Sequence, residues 1–258
     1  MKKKCIFSVF NKTDYFLANY SAHLASHMCL DLVFYVDDTS SYKLILDASK
    51  KIEKIFNIRI KVLEKKSNFF SWLSSISKIA KEENAEMIIM SVYQNNLVFF
   101  GESLWSRAQK LETPIMLLPE NYMFEEIQNI VITADASMKI QKTGLVINFA
   151  KQFNSKIHIF KENVKNPVEQ NKINTLSKNI ALFLRKNKIN FITISAKNQQ
   201  KFTKNLCKYS VKNGDILVVE VDPGKIRKNT TQQFDILLHE KPVLLKKTKN
   251  FGIISWRS

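Results

Sequence analysis

Apolar residues along the chain follow two alternating rhythms: short unbroken runs, and longer stretches in which they recur every three or four positions. Cys5 to Phe10 is a first run, after which Leu17, Tyr20, Leu24 and Met28 fall at helical spacing behind a cap at Asn11 or Thr13. Leu32 to Val36 is a second run. Asp37 to Ser40 then caps a helix carrying Leu44, Ala48, Ile52 and Ile55, and a strand follows at Ile58 to Leu63. A third helical pattern holds Phe69, Trp72, Ile76 and Ile79. Met87 to Met90 reads as a buried strand, followed by a loop, a short helix opening near Gly101 and a last strand from Pro114 to Leu118. Strands alternating with helices predict right-handed crossovers and a parallel sheet covered on both faces. Runs such as MIIM and ILVV, apolar without alternation, suit strands buried on both sides.

The pattern then recurs. Residues 119–127 break it as a connector, and Asn213 to Leu245 repeats the order found in Asn84 to Leu118: acidic residue, apolar run, polar loop, short helix, and Glu-x-Pro before a final apolar run. An ungapped shift of 125 residues sets Cys5-Ile6-Phe7 on Ile130-Val131-Ile132, Leu24-Ala25 on Phe149-Ala150, and Leu32-Val33-Phe34 on Ile157-His158-Ile159, whereas Pro114 and Pro242 differ by 128. The net gain of three residues is placed in the long helix from Pro167 to Lys186. Two large copies of one α/β unit, residues 1–122 and 123–258, are expected, each with its own core.

Composition narrows the class. With 45% hydrophobic residues in 258, the chain can bury a substantial core. Cys5, Cys29 and Cys207 form no C-x-x-C pair and are odd in number, which points away from a disulfide framework and toward a reducing cytoplasm. The Lys2-Lys3-Lys4 start leads into an apolar run that ends at Phe10, too short for an export signal, and no window reaches the roughly 18 apolar residues that span a bilayer. A net charge of +17 admits a polyanion partner. Lysines occur on every helix beside abundant Asn, Ile and Phe, the signature of biased coding composition, so nucleic acid is not the expected partner.

In an open parallel sheet, ligands bind beyond the carboxyl ends of the strands, which directs attention to the loops after the first and fourth strands of each half. Two five-strand α/β units, each ending in strand, loop, helix and strand, resemble a tandem universal stress protein over nearly the whole chain. The resemblance implies Rossmann-like, adenine nucleotide alpha hydrolase-like units, each a five-stranded parallel sheet in the order 3-2-1-4-5 flanked by helices. It also implies that the final strands of the two halves meet about a pseudo-twofold axis, an intramolecular pseudo-dimer.

Nucleotide-binding members of that family carry an Asp after the first strand and a G-x2-G-x9-G-[S/T] loop after the fourth, whose backbone N–H groups close around phosphates. In the first half Phe10 stands at the Asp position, Ser91 and Gln94 replace the first two glycines, and Gly101 is followed by Glu102. A carboxylate in the first turn of a helix there would repel a phosphate 4 Å away by roughly 4 kcal/mol at an effective dielectric of 20. The second half keeps Asp135 within Thr133-Ala134-Asp135-Ala136-Ser137, and Thr230 at the hydroxyl position, while Glu220, Pro223 and Asn229 replace the glycines. Asp135 and Ser137 are equally ordinary helix caps. Lys225, Arg227 and Lys228 offer a side-chain anion cradle or a solvated loop.

Only five glycines exist in the chain, so no glycine-rich phosphate loop can be assembled, and each ordinary residue forced into left-handed backbone would cost about 1–2 kcal/mol. His23 and His27 share a helix face at i, i+4 without a third ligand, no G-x-S-x-G elbow exists, and no cysteine has a catalytic signature, so neither a metal nor a catalytic residue is expected. The leading expectation is a non-catalytic, cytoplasmic, universal stress protein-like regulatory or interaction module acting on a protein partner. It is expected to hold no cofactor, nucleotide binding being lost in the first half. The alternative is a stress sensor that binds ATP or AMP through Asp135, Lys225, Arg227, Lys228 and Thr230, and a third is a polyanion-binding protein. The apolar tail, Phe251 to Trp256, is expected to pack on its own half.

Overall fold

A computed structural model describes residues 4–10, 15–36, 39–64, 72–92, 98–99, 102–103, 111, 113–119, 122–134, 144–196, 202–221 and 241–247. The first half runs β1 (Cys5–Phe10), α1 (Tyr15–His27), β2 (Asp31–Val36), α2 (Thr39–Phe56), β3 (Ile60–Glu64), α3 (Trp72–Glu82), β4 (Ala85–Val92), the two-residue strands β5 (Val98–Phe99) and β6 (Glu102–Ser103), and β7 (Ile115–Pro119). The second runs β8 (Asn129–Ala134), α4 (Gly144–Gln152), β9 (Lys156–Lys161), α5 (Pro167–Lys186), β10 (Phe191–Ser195), α6 (Phe202–Asn213), β11 (Ile216–Val221) and β12 (Val243–Lys247).

Ten strands form one sheet in the order β10-β9-β8-β11-β12-β7-β4-β1-β2-β3. Within each half all pairings in this sheet are parallel, and each first strand is central, β1 between β2 and β4, β8 between β9 and β11. The halves meet where β12 pairs antiparallel with β7, Val243 opposite Leu117 and Leu245 opposite Ile115. The final strands thus lie together, the arrangement that the resemblance implied.

The strands fold as they do because both faces are covered. One apolar layer joins Ile6, Phe34, Met87, Met116, Ile130, Ile159 and Val218 to α1, α2, α4 and α5. The other joins Phe7, Tyr35, Ile88, Leu117, Val131, Leu217 and Val243 to α3 and α6. Each layer spans both halves. The expectation of a separate core in each half is therefore corrected: the antiparallel seam makes the sheet continuous, and the core divides by sheet face instead.

Helix ends follow local chemistry. The Asn166 side chain accepts from the N–H groups of Val168 and Glu169, Pro167 opens α5, and Arg185 and Lys186 sit in its last turn, which is why the sequence bounds of this helix hold. Left-handed residues follow five helices: Cys29, Asn57, Asn84, Asn154 and Lys188.

The register between the halves differs from the ungapped shift. Ile6 pairs with Leu32 and Ile130 with Ile157, so the counterpart of Ile6 is Ile130, an offset of 124 residues at the first strand and 125 at the second. Face membership agrees, since Ile6 and Ile130 share one layer while Val131 lies in the other. The same comparison gives 131 at the third strand, Ile60 answering to Phe191, and 129 at the fourth, Met87 answering to Ile216. The second half therefore gains residues in the segment that contains α5, as expected, and loses some of them afterward.

The placing of Glu102 at the start of the helix expected near Gly101 is also corrected, residues 104–110 lying outside those described. Glu102 and Ser103 pair antiparallel with Phe99 and Val98, a short ribbon in which the β-branched and aromatic residues favour extended backbone. Glu102 does not begin a helix, so the repulsion argued from a helix dipole does not apply there.

Candidate functional site

The acidic residue that opens each repeated motif acts at the amino edge of the sheet. Asp215 accepts from the backbone N–H groups of Gln128 and Asn129, at 2.8 and 2.7 Å, and so holds the connector where it enters β8. Its counterpart Glu86 makes an ion pair of 2.6 Å with Lys4, the residue matching Gln128. Both acids anchor the start of a central strand.

The carboxyl edge is the place for a ligand. β8 and β11 are adjacent and parallel, with Ile132 beside Val218, so the loops that follow them leave the sheet side by side at this edge. Asp135 comes directly after the last residue of β8, and residues 225–230 follow β11. Asp135, Lys225, Arg227, Lys228 and Thr230 themselves lie outside the described residues, as do Gly101, Gln94 and residues 248–258 with the apolar tail. In the first half β1 and β4 bear the same relation, Val9 beside Met90. The register makes Phe10 the counterpart of Ala134, so the residue in line with Asp135 is Asn11 and not Phe10. Ser91 and Glu220, read as loop positions, belong to β4 and β11, because these strands run on to Val92 and Val221.

Behind these loops the two halves differ. Ser8 on β1 donates to Ser21 on α1 at 2.6 Å, both fully buried. The matching positions, Ile132 and Val146, are apolar. On the other face of the second half, His158 of β9 shares a hydrogen bond of 2.9 Å with the Tyr209 hydroxyl of α6, while its Nε2 is buried with no partner. Burial first, and then nearby Lys156, lower the pKa of His158, with Asp215 acting the other way. The first half has Val33 in place of this histidine.

His23 and His27 are joined to an aromatic cluster. His23 stacks on Phe124 of the connector at 4.5 Å and meets Phe56 edge-on, while His27 stacks on Phe153 at 5.0 Å and donates through Nδ1 to the His23 carbonyl. Burial, then His27, holds the His23 pKa below its ordinary value. The pair packs the connector against α1 and α4. Burial also pushes the Cys207 thiol up to about 12, which leaves it unreactive at neutral pH. Among the described residues no three His, Cys, Asp or Glu side chains gather to hold a metal, and no helix is long and apolar enough to cross a membrane. An apolar seam lined by Ile130, Val146, Phe149, Ile216 and Val218 is too tight to admit water.

No family profile matches the chain, and no curated protein does. Solved structures do. The chain is similar to a universal stress protein from Archaeoglobus fulgidus, with TM-score 0.67 and 10% identity over 94% of this chain and 98% of that one. It is similar to a putative universal stress protein from Pseudomonas aeruginosa, with TM-score 0.63 and 9% identity over 95% and 93%. The cytoplasmic domain of a prokaryotic cation chloride cotransporter also superposes, with TM-score 0.59 and 7% identity over 94% and 95%. At such identities the likeness establishes the fold.

Proposed function

We propose that the chain is a non-catalytic regulatory or interaction module of the universal stress protein kind, one that works without a bound nucleotide. The observation that carries this reading is the pairing of that architecture, two 3-2-1-4-5 halves joined through their last strands, with Ser91 and Glu220 at the strand ends and Gln94, Pro223 and Asn229 beyond them where the family has glycine. Only Gly101 survives, and it is followed by an acid. A fold shared with a transporter domain implies no activity by itself, so function must come from the loops and surfaces.

A cytoplasmic location and a protein partner belong to the same proposal. Thermal melts of the full chain with millimolar ATP, ADP or AMP test it, because a micromolar site would add about 4 kcal/mol by mass action. No shift is expected. A large shift abolished by Asp135→Ala would overturn the proposal in favour of an ATP- or AMP-binding sensor. That second reading is favoured by one observation: the Asp135 loop and the loop carrying Lys225, Arg227, Lys228 and Thr230 leave neighbouring strands at one edge.

A further inference from the structure

The net charge is not shared between the halves. Residues 1–122 hold 16 basic and 13 acidic side chains, a net of +3; residues 123–258 hold 24 and 10, a net of +14. Ion pairs follow the same division. Lys4–Glu86, Lys50–Asp47, Lys61–Glu83 and Lys78–Glu82, in which both partners are described residues, all lie in the first half.

The contrast is sharpest on two helices that occupy matching places, α3 and α6. At an offset of 130 most positions match in burial: Ile76 and Ala80 are buried like Leu206 and Ser210, Ile79 is half-buried like Tyr209, and positions 78 and 82 are exposed like 208 and 212, while 77 and 81 are more exposed than 207 and 211. On α3 the exposed pair is Lys78 with Glu82, 4.0 Å apart. On α6 it is Lys208 with Lys212, and Lys204 stands one turn earlier. All three are exposed, within an arc of roughly 80° and with a rise of about 6 Å between neighbours, on a helix that contains no acid. Lys156 at the start of β9 acts electrostatically on His158, which touches Tyr209 of α6.

We infer that this lysine row is a binding surface for duplex nucleic acid, engaged through its phosphates without regard to sequence. Three observations select that partner. The apolar side of α6, with Leu206 and Cys207, is buried against the sheet, so the helix has no face to insert into a membrane. None of the exposed large apolar residues among those described lies on α6, so the anchors that a protein interface requires are missing. The row offers no exposed aromatic platform of the kind that holds single strands, Tyr209 being engaged with His158 and Phe160. Point charges spaced along a straight rod suit a phosphate backbone. The surface lies on the outside of a helix, so it stands independently of any nucleotide in the loops.

The test uses the full chain and a fluorescein-labelled 20-base-pair DNA duplex, with anisotropy read at several salt concentrations. Three lysine–phosphate contacts give a log–log salt slope of about 2.7 and so about a 40-fold loss of affinity between 50 and 200 mM salt. The combined variant Lys204→Gln, Lys208→Gln, Lys212→Gln is expected to bind at least tenfold more weakly at 50 mM, with the slope reduced by about 2.7. Removing equal charge from the opposite face of the sheet, by Lys172→Gln, Lys178→Gln and Lys186→Gln on α5, is expected to change affinity less than threefold. Equal losses in the two triple variants would overturn the inference, as would no binding at 50 mM salt. Tighter binding to inorganic polyphosphate, to an acidic peptide or to anionic vesicles than to the duplex would overturn it too. The substituted positions are exposed, so circular dichroism is expected to show an unchanged fold.

Discussion

The two halves share a strand order and differ in where they place polarity. The first keeps it inside and balanced outside, with the buried Ser8–Ser21 hydroxyl pair under α1 and, among the described residues, four ion pairs on its surface. The second is apolar at the matching interior positions, buries the His158 Nε2 on β9 without a partner, and carries an unneutralised lysine row on α6. What is common to them is set by packing, which tolerates exchange of one apolar residue for another. What differs is set by groups that packing does not require, so the differences are the better guide to use.

The largest expected effect tests what the halves share. Val243 is fully buried on the seam, opposite Leu117, and Val243→Asp strands a charge there at a cost of several kcal/mol, a large part of a domain's stability. Because each apolar layer spans both halves, calorimetry of the natural chain should show one transition, and this variant should lose structure in both halves at once. Two separate transitions would contradict the shared core.

Next is a position where the halves solve one corner differently. Asn84 takes left-handed backbone with φ 59°, whereas Gly214 lets Val131 approach: a Cβ there would lie 2.6 Å from the Val131 Cγ2. Gly214→Asn is expected to cost about 1–3 kcal/mol by overpacking, and Asn84→Gly much less, as read from urea midpoints. The hydroxyl pair comes third. Ser8→Ala leaves Ser21 without its partner at a cost of about 1–2 kcal/mol, while Ser8→Val with Ser21→Val, imitating the second half, should recover most of it.

The histidine supplies a pH test. Its folded pKa is lowered, so the unfolded chain binds more protons in the window below 6.5. The stability tied to a neutral His158 is full above that window and is lost as pH falls through it. Against the natural chain, His158→Val should gain relative melting temperature between pH 7.5 and 5.5; a constant difference would rule the histidine out as the cause. The smallest effect is on α6. Lys212→Glu restores the charge pattern of α3 and is expected to stabilise by a few tenths of a kcal/mol at low salt, disappearing at high salt.

Much of this architecture was readable in the chain, and the failures have physical causes. Asn166-Pro167 and Arg185-Lys186 mark α5 with cap and charge signals, so its bounds are legible. Cys5–Phe10 and Ile130–Ala134 carry no alternation, because both faces are buried, and nothing in them penalises a one-residue slip in comparing the halves. That slip moved the Asp135 match from Asn11 to Phe10. Glu86 and Asp215 looked like motif residues and prove to tie down strand starts, a role that depends on partners brought in by the sheet. Lysines spread along the whole chain concealed the charge division, which comes mainly from the larger number of basic residues in the second half and only secondarily from its fewer acids.

The antiparallel seam also governs the order in which the molecule can be completed during synthesis. β7 ends at Pro119, but its partner β12 begins at Val243, and at 5–20 residues per second these are separated by roughly 6–25 s of elongation. Throughout that interval the first half presents Ile115-Met116-Leu117-Leu118 as an open, uncharged strand edge, the kind of surface that captures other nascent chains. A strand made more than a hundred residues after its partner is thus inserted into the middle of the sheet, and the chain has a vulnerable period in which a chaperone, or rapid translation of the second half, protects it from pairing with its own copies.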